Sequence, residues 1–126
     1  MATAKHAFAD TFAELRGILK PYSGELLVTV DKPGEFTLAS RTATDRIGRP
    51  LFAASVRVGK SYVSYHLMGV YAAPELLKGI SPDLRKRMQG KSYFNFKAIE
   101  PARVKELSAL TKKSLERLAT LKLPWA

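Results

Sequence analysis

The chain has 126 residues, 46% of them hydrophobic and 25% charged, the balance of one soluble globular domain that can bury a single core. It contains no cysteine, which excludes disulfides and thiolate metal sites and suits a cytoplasmic setting. Lysine and arginine total 21 against 11 acids, a formal charge of +10, and a field of that sign favours anionic partners.

The first residues carry no apolar stretch of the kind a secretion signal needs, and Asp10 and Glu14 interrupt any such reading. No run approaches the ~18 apolar residues of a membrane span. The expected location is the cytoplasm, with no membrane partner, and residues 1–126 are expected to form one domain.

Residues 5–20 read as a helix. Phe8, Phe12, Leu15 and Leu19 recur at spacings of four and three, and Ile18 widens the stripe. Pro21 and Gly24 close it. Residues 25–30 read as a strand, and the Asp31-Lys32-Pro33-Gly34 turn returns the chain into a second strand over 36–40. Residues 41–50, with Gly48, Pro50 and three arginines (Arg41, Arg46, Arg49), read as a loop.

In the strand expected over 51–58, alternation puts Phe52, Ala54, Val56 and Val58 on one face. Gly59-Lys60 is then a two-residue hairpin turn, followed by a long strand over 61–71. Alternation places Tyr62, Ser64, His66, Met68 and Val70 on one face of that strand, and Val63, Tyr65, Leu67, Gly69 and Tyr71 on the other.

Residues 74–78 make a short helical turn that Gly79 stops. Ser81-Pro82-Asp83 starts a helix to about residue 89, because Ser caps, Pro fits the first helical position and the acid suits the first turn. Leu84 and Met88 face inward in that helix, and Arg85, Lys86 and Arg87 lie outside. A last strand over 92–99 carries Tyr93, Phe94 and Phe96. The longest helix follows, from 101 to about 121, with Val104, Leu107, Leu110, Ser114, Leu118 and Leu121 along its inner stripe. A tail over 123–125 ends in Trp125. The order α-β-β-β-β-α-α-β-α predicts an α+β domain: a mostly antiparallel sheet of about five strands with the N- and C-terminal helices packed on it.

The motifs of catalysis are missing. The only histidines are His6 and His66, and no serine sits in a nucleophile elbow. Gly59-Lys60-Ser61 resembles the end of a phosphate-binding loop, but the preceding glycine is absent and a strand follows where a helix is required. The acids do not cluster, so no metal site and no cofactor is expected. His66 is either a partly buried structural histidine or a polar handle at a pocket.

The strongest functional signal is basic. From Lys78 to Lys97 six cations (Lys78, Arg85, Lys86, Arg87, Lys91, Lys97) stand against one acid, Asp83. That excess of five is half the net charge of the chain. Such a run is often just a solvated face, but here it lies beside aromatic strands, and cations beside aromatic faces hold flat or phosphorylated anions. Phe94 and Phe96 share one strand face and are expected in the core.

The strand pair through Gly59-Lys60-Ser61-Tyr62-Val63-Ser64-Tyr65-His66, the Leu76-Leu77 turn, the basic helix and the Gly90-Lys91-Ser92-Tyr93-Phe94-Asn95-Phe96 strand before a long helix resemble the YdhG-like domains over roughly residues 5–120. These are small bacterial proteins of unknown function, some described as frataxin-like iron chaperones. The resemblance implies the fold and a non-enzymatic role. An iron role needs a carboxylate-rich face, and this chain offers a basic one.

The leading expectation is therefore a non-enzymatic binding protein with a pocket or groove for an anionic small molecule, lined by Tyr62, Tyr65, His66, Arg85 and Lys91. The alternatives are sequence-independent nucleic-acid binding through Arg85, Lys86, Arg87, Arg41, Arg46 and Arg49, and a module that docks a protein partner.

Overall fold

A computed structural model of the chain describes residues 3–120, and the side chains of residues 8–120. The protein is an α+β domain: one antiparallel sheet of six strands, with the long N- and C-terminal helices on one face. Leu121, the tail at 123–125 and the side chain of His6 lie outside the described residues.

Helix α1 (Thr3–Leu19) buries Leu15, Ile18 and Leu19, while Phe8 and Phe12 pack half-buried at the core's margin. A 3-10 turn over Lys20–Tyr22 ends it, and the Ser23 hydroxyl donates to the Lys20 carbonyl at 2.6 Å. Strands β1 (Leu27–Lys32) and β2 (Glu35–Thr44) form the expected hairpin, with Gly34 at φ +85°, a region that L side chains rarely enter. Strand β2 runs four residues further than expected, so Arg41 sits on a strand, and the loop shrinks to the stretch between Thr44 and Pro50.

Strand β3 (Pro50–Val58) pairs with β2, and the register skips Ala53: Leu38 faces Ala54, and Ala39 faces Phe52. An extra residue of this kind reverses the alternation. It keeps Ala53, Ala54 and Val56 buried and turns Phe52 to the opposite face from the one its spacing suggests. The turn to β4 (Val63–Leu67) spans four residues rather than two, because Val58 pairs with Val63.

Strand β4 ends at Leu67, and Met68–Ala72 is a short helix, α2, where continued strand was expected. The reason is tertiary. Gly69 lies against the backbone of Ser114, so close that an added Cβ would collide with the Ser114 carbonyl. The chain can then coil against the C-terminal helix and bury Val70.

After a 3-10 turn over Pro74–Gly79, the Ser81 hydroxyl caps the next helix by accepting from Leu84 N at 3.1 Å, as expected. That helix, α3, spans only Pro82–Arg85. Met88–Gln89 form a two-residue strand, β5, which pairs with β6 (Tyr93–Phe96) through Gly90 at φ +79°. Pairing with the neighbouring strand outweighs helix propensity here, so the basic helix expected to about residue 89 is a single turn. Ser81 also donates its hydroxyl to Glu106 Oε1 at 2.7 Å, which fixes this turn to helix α4 (Pro101–Thr120).

The strand order is β1-β2-β3-β4-β6-β5. Phe36, Leu38, Val56, Tyr65, Phe94 and Phe96 fill the helix-covered face of the sheet, where they meet Leu15, Leu107 and Leu110. Full burial of such side chains is worth ~1.5–3 kcal/mol each.

Candidate functional site

The opposite face of the sheet carries no helix among the described residues. Strand alternation that sends Val63, Tyr65 and Leu67 into the core sends Ser64 and His66 outward. The register then stacks the outward residues in rows. One row runs Thr37, Ser55, His66, Tyr93 and Gln89; the next runs Glu35, Arg57, Ser64 and Asn95. A concavity of about 550 Å³ lies over these rows, lined only by strand residues and Gly59.

Aromatic rings fill the middle of that face. The His66 imidazole stacks on Tyr93, with centroids 4.0 Å apart and planes 26° from parallel. Phe52 closes on its other side at 4.7 Å. Packed between two rings, the half-buried imidazole loses hydration, and burial pushes its pKa from 6.5 down to about 4. At neutral pH it is therefore uncharged, with one nitrogen to donate and one to accept. No hydrogen bond to either nitrogen is formed among the described residues. Tyr93 is the last aromatic ring of the row and is 45% exposed.

A second, smaller concavity of about 230 Å³ shares His66 and Tyr93 and adds Lys91, Tyr71 and Met68. The two hollows therefore adjoin at the stacked pair. Arg57 borders the larger one and Lys91 the smaller. Neither cation enters an ion pair among the described residues. Within the second row, the Ser64 hydroxyl donates to Asn95 Oδ1 at 2.7 Å, which leaves the Asn95 amide hydrogens without an acceptor among the described residues.

Of the residues expected at a pocket, the structure brings His66 and Lys91 together. Tyr62 lies further along the same face, 43% exposed, with the Lys97 ammonium 5.5 Å from its ring centroid. Tyr65 is a correction: it is fully buried under the helices, because in a strand it must point away from His66. Its hydroxyl donates to Thr111 Oγ1 at 2.6 Å, while Thr111 donates onward to the Leu107 carbonyl. Arg85 is a second correction. It lines neither hollow, and its guanidinium donates to the Leu77 carbonyl at 2.8 Å.

The alternative set of cations does not gather either. Arg41 donates to the Gly24 carbonyl, and Arg49 pairs with Asp45 at 3.0 Å. Arg46 sits in that same loop, while Lys86 and Arg87 are exposed after the α3 turn.

Phe52, Arg57 and Tyr93 are site residues that the sequence reading left out. Tyr93 had a legible signal, since placing Phe94 and Phe96 in the core sends Tyr93, Asn95 and Lys97 to the other face. Phe52 had none, because the skipped residue at Ala53 shows only in the pairing. Another hollow, about 750 Å³ between α1 and α4, is lined mainly by small and apolar side chains such as Ala13, Gly17 and Ala109, and its charges stand exposed. It lacks the converging polar and aromatic groups of the sheet face. Among the described residues, no cluster of three or more histidine or acidic side chains is placed to hold a metal, and no helix is long and apolar enough to cross a membrane.

Compared with known protein families, curated proteins and solved structures, the chain matches none.

Proposed function

We propose that the protein is a non-catalytic binding protein whose open sheet face holds an anionic ligand bearing a planar ring. The observation that carries this reading is the Phe52–His66–Tyr93 row, which stands uncovered by any described helix between Arg57 and Lys91, two cations that enter no ion pair among the described residues. The exposed side of Tyr93 offers a stacking surface. Lys91 and Arg57 supply charge-assisted hydrogen bonds for a phosphate or carboxylate. Neutral His66 and the Asn95 amide give ring heteroatoms both donors and acceptors. The cysteine-free composition suits a cytoplasmic setting. Kinship with the YdhG-like domains is part of the same proposal, supported by the Gly59–His66 and Gly90–Phe96 segments on adjoining strands before α4.

Calorimetric titration with a nucleoside monophosphate tests the reading, with the bare nucleoside and inorganic phosphate as controls for ring and charge. The monophosphate should bind more tightly than either control, and Tyr93→Ala or Lys91→Ala should weaken it without lowering the melting temperature. If the monophosphate binds no better than inorganic phosphate, the reading is wrong.

A further inference from the structure

We infer that the ligand is one unit of a chain: the β4–β6 side of the open face binds single-stranded nucleic acid without regard to sequence. This inference rests on the proposed ligand site and extends it along the sheet.

The first observation is where the exposed aromatics lie. Tyr62, Tyr71 and Tyr93 are the exposed aromatic residues among the described ones, at 43%, 55% and 45%. All three belong to this side of the molecule. Tyr71 and Tyr93 border the same hollow, and Tyr62, in the turn just before β4, lies against the Lys97 ammonium that follows β6. Tyr62 and His66 are four residues apart, about 13 Å at the rise of a strand. One base cannot cover that span, but successive bases of a strand can, each finding its own ring.

The second observation is charge. Lys97 stands over Tyr62, and Lys91 stands beside Tyr71 and Tyr93, so cations alternate with rings along the track. Residues 59–67 and 88–97, which carry β4, β5 and β6, contain three lysines, Lys60, Lys91 and Lys97, and no acid. A backbone with a phosphate at every unit is the anion such a series complements. Ser64 and Asn95 lie between the two ring sites and offer the Asn95 amide to a base edge.

The third observation is shape. The surface is open and shallow, and its rings are presented to bases whose faces are free. In a duplex those faces are stacked away, so a single strand fits and a duplex does not.

The test is fluorescence anisotropy at low salt, using a labelled 12-nucleotide oligothymidylate, its duplex with oligodeoxyadenylate, and thymidine 5′-monophosphate as competitor. The single strand should bind at least tenfold more tightly than the duplex and more tightly than the mononucleotide. Tyr62→Ala and Tyr93→Ala should each weaken it roughly 5- to 100-fold, the range for loss of one stacked base, with melting temperature retained. Lys97→Ala should reduce the slope of log K against log salt by ~0.7, the contribution of one phosphate contact on a single strand. If the mononucleotide binds as tightly as the oligonucleotide and Tyr62→Ala changes nothing, the extended track is overturned while the ligand site stands. If Arg85→Ala, Lys86→Ala and Arg87→Ala together abolish binding and Tyr62→Ala does not, the nucleic acid sits elsewhere and the inference fails. If neither mononucleotide nor oligonucleotide binds, both readings fall.

Discussion

Tyr65 and His66 are neighbours in the chain and stand on opposite faces of β4. The Tyr65 hydroxyl reaches Thr111 of α4 at 2.6 Å, inside the core, while the His66 ring stacks on Tyr93 at 4.0 Å, on the open side. One residue of the pair fastens the sheet to its helix, and the next begins the candidate site. The pleat forces that division.

Tyr65→Phe removes the hydroxyl and keeps the ring. Thr111 retains its own bond to the Leu107 carbonyl, so only one buried hydrogen bond is lost. The expected cost is ~1 kcal/mol, read from urea denaturation, with ligand affinity unchanged. A loss of affinity at constant stability would place Tyr65 in the site after all.

His66 should titrate near 4 by NMR, because burial disfavours its charged form. The unfolded chain takes up this proton near 6.5, so between those values the unfolded state binds more protons than the native state. Stability from this group is complete above pH 6.5 and is lost as the pH falls through about 4. His66→Gln should remove that part of the pH dependence, seen as the difference between the two proteins' denaturation curves. An anion bound beside the ring favours the imidazolium, so affinity for an anion that keeps its charge, such as sulfate, should rise as the pH is lowered toward about 4.

Gly69 and Ser114 make opposite predictions at one crossing of α2 and α4. Gly69→Ala pushes a methyl group into the backbone of Ser114 and should cost about 1–3 kcal/mol or more. The Ser114 hydroxyl is buried with no hydrogen-bond partner among the described residues, so Ser114→Ala should leave stability unchanged or raise it. Thermal melts of the two variants settle both. A marked loss of stability in Ser114→Ala would mean that the hydroxyl has a partner.

Leu107 and Phe12 separate the core from its margin. Leu107 is fully buried and should cost ~2–5 kcal/mol as Ala. Phe12 is half-buried at the edge of the same cluster, so Phe12→Ala should stay below the ~3 kcal/mol at which buried phenylalanines begin. Equal losses at the two positions would make α1 as central to the core as α4.

The periodicities in the sequence determined the long helices, the first hairpin and the α+β class. Leu15 and Leu19, or Leu107, Leu110 and Ser114, recur at helical spacing whatever they pack against, and Pro33-Gly34 favours a turn through its own backbone preferences. The buried face of β6 was legible in the same way, from Phe94 and Phe96, whereas both faces of β4 are partly apolar and its alternation did not say that Tyr65 is the covered side. The charge of +10 was legible as well, but only as a total. Tertiary structure decided where local preference was weak or reversed. The bulge at Ala53 turned Phe52 outward because the pairing of β2 with β3 required it. Contact with α4 ended β4 at Leu67, and pairing with β6 reduced the basic helix to one turn. The candidate site follows from these choices. His66, Tyr93 and Lys91 meet because β4 and β6 lie side by side, although 25 residues separate His66 from Lys91 in the chain. No periodicity along the chain encodes which strands become neighbours; that depends on how the helices and the sheet bury their apolar surface together.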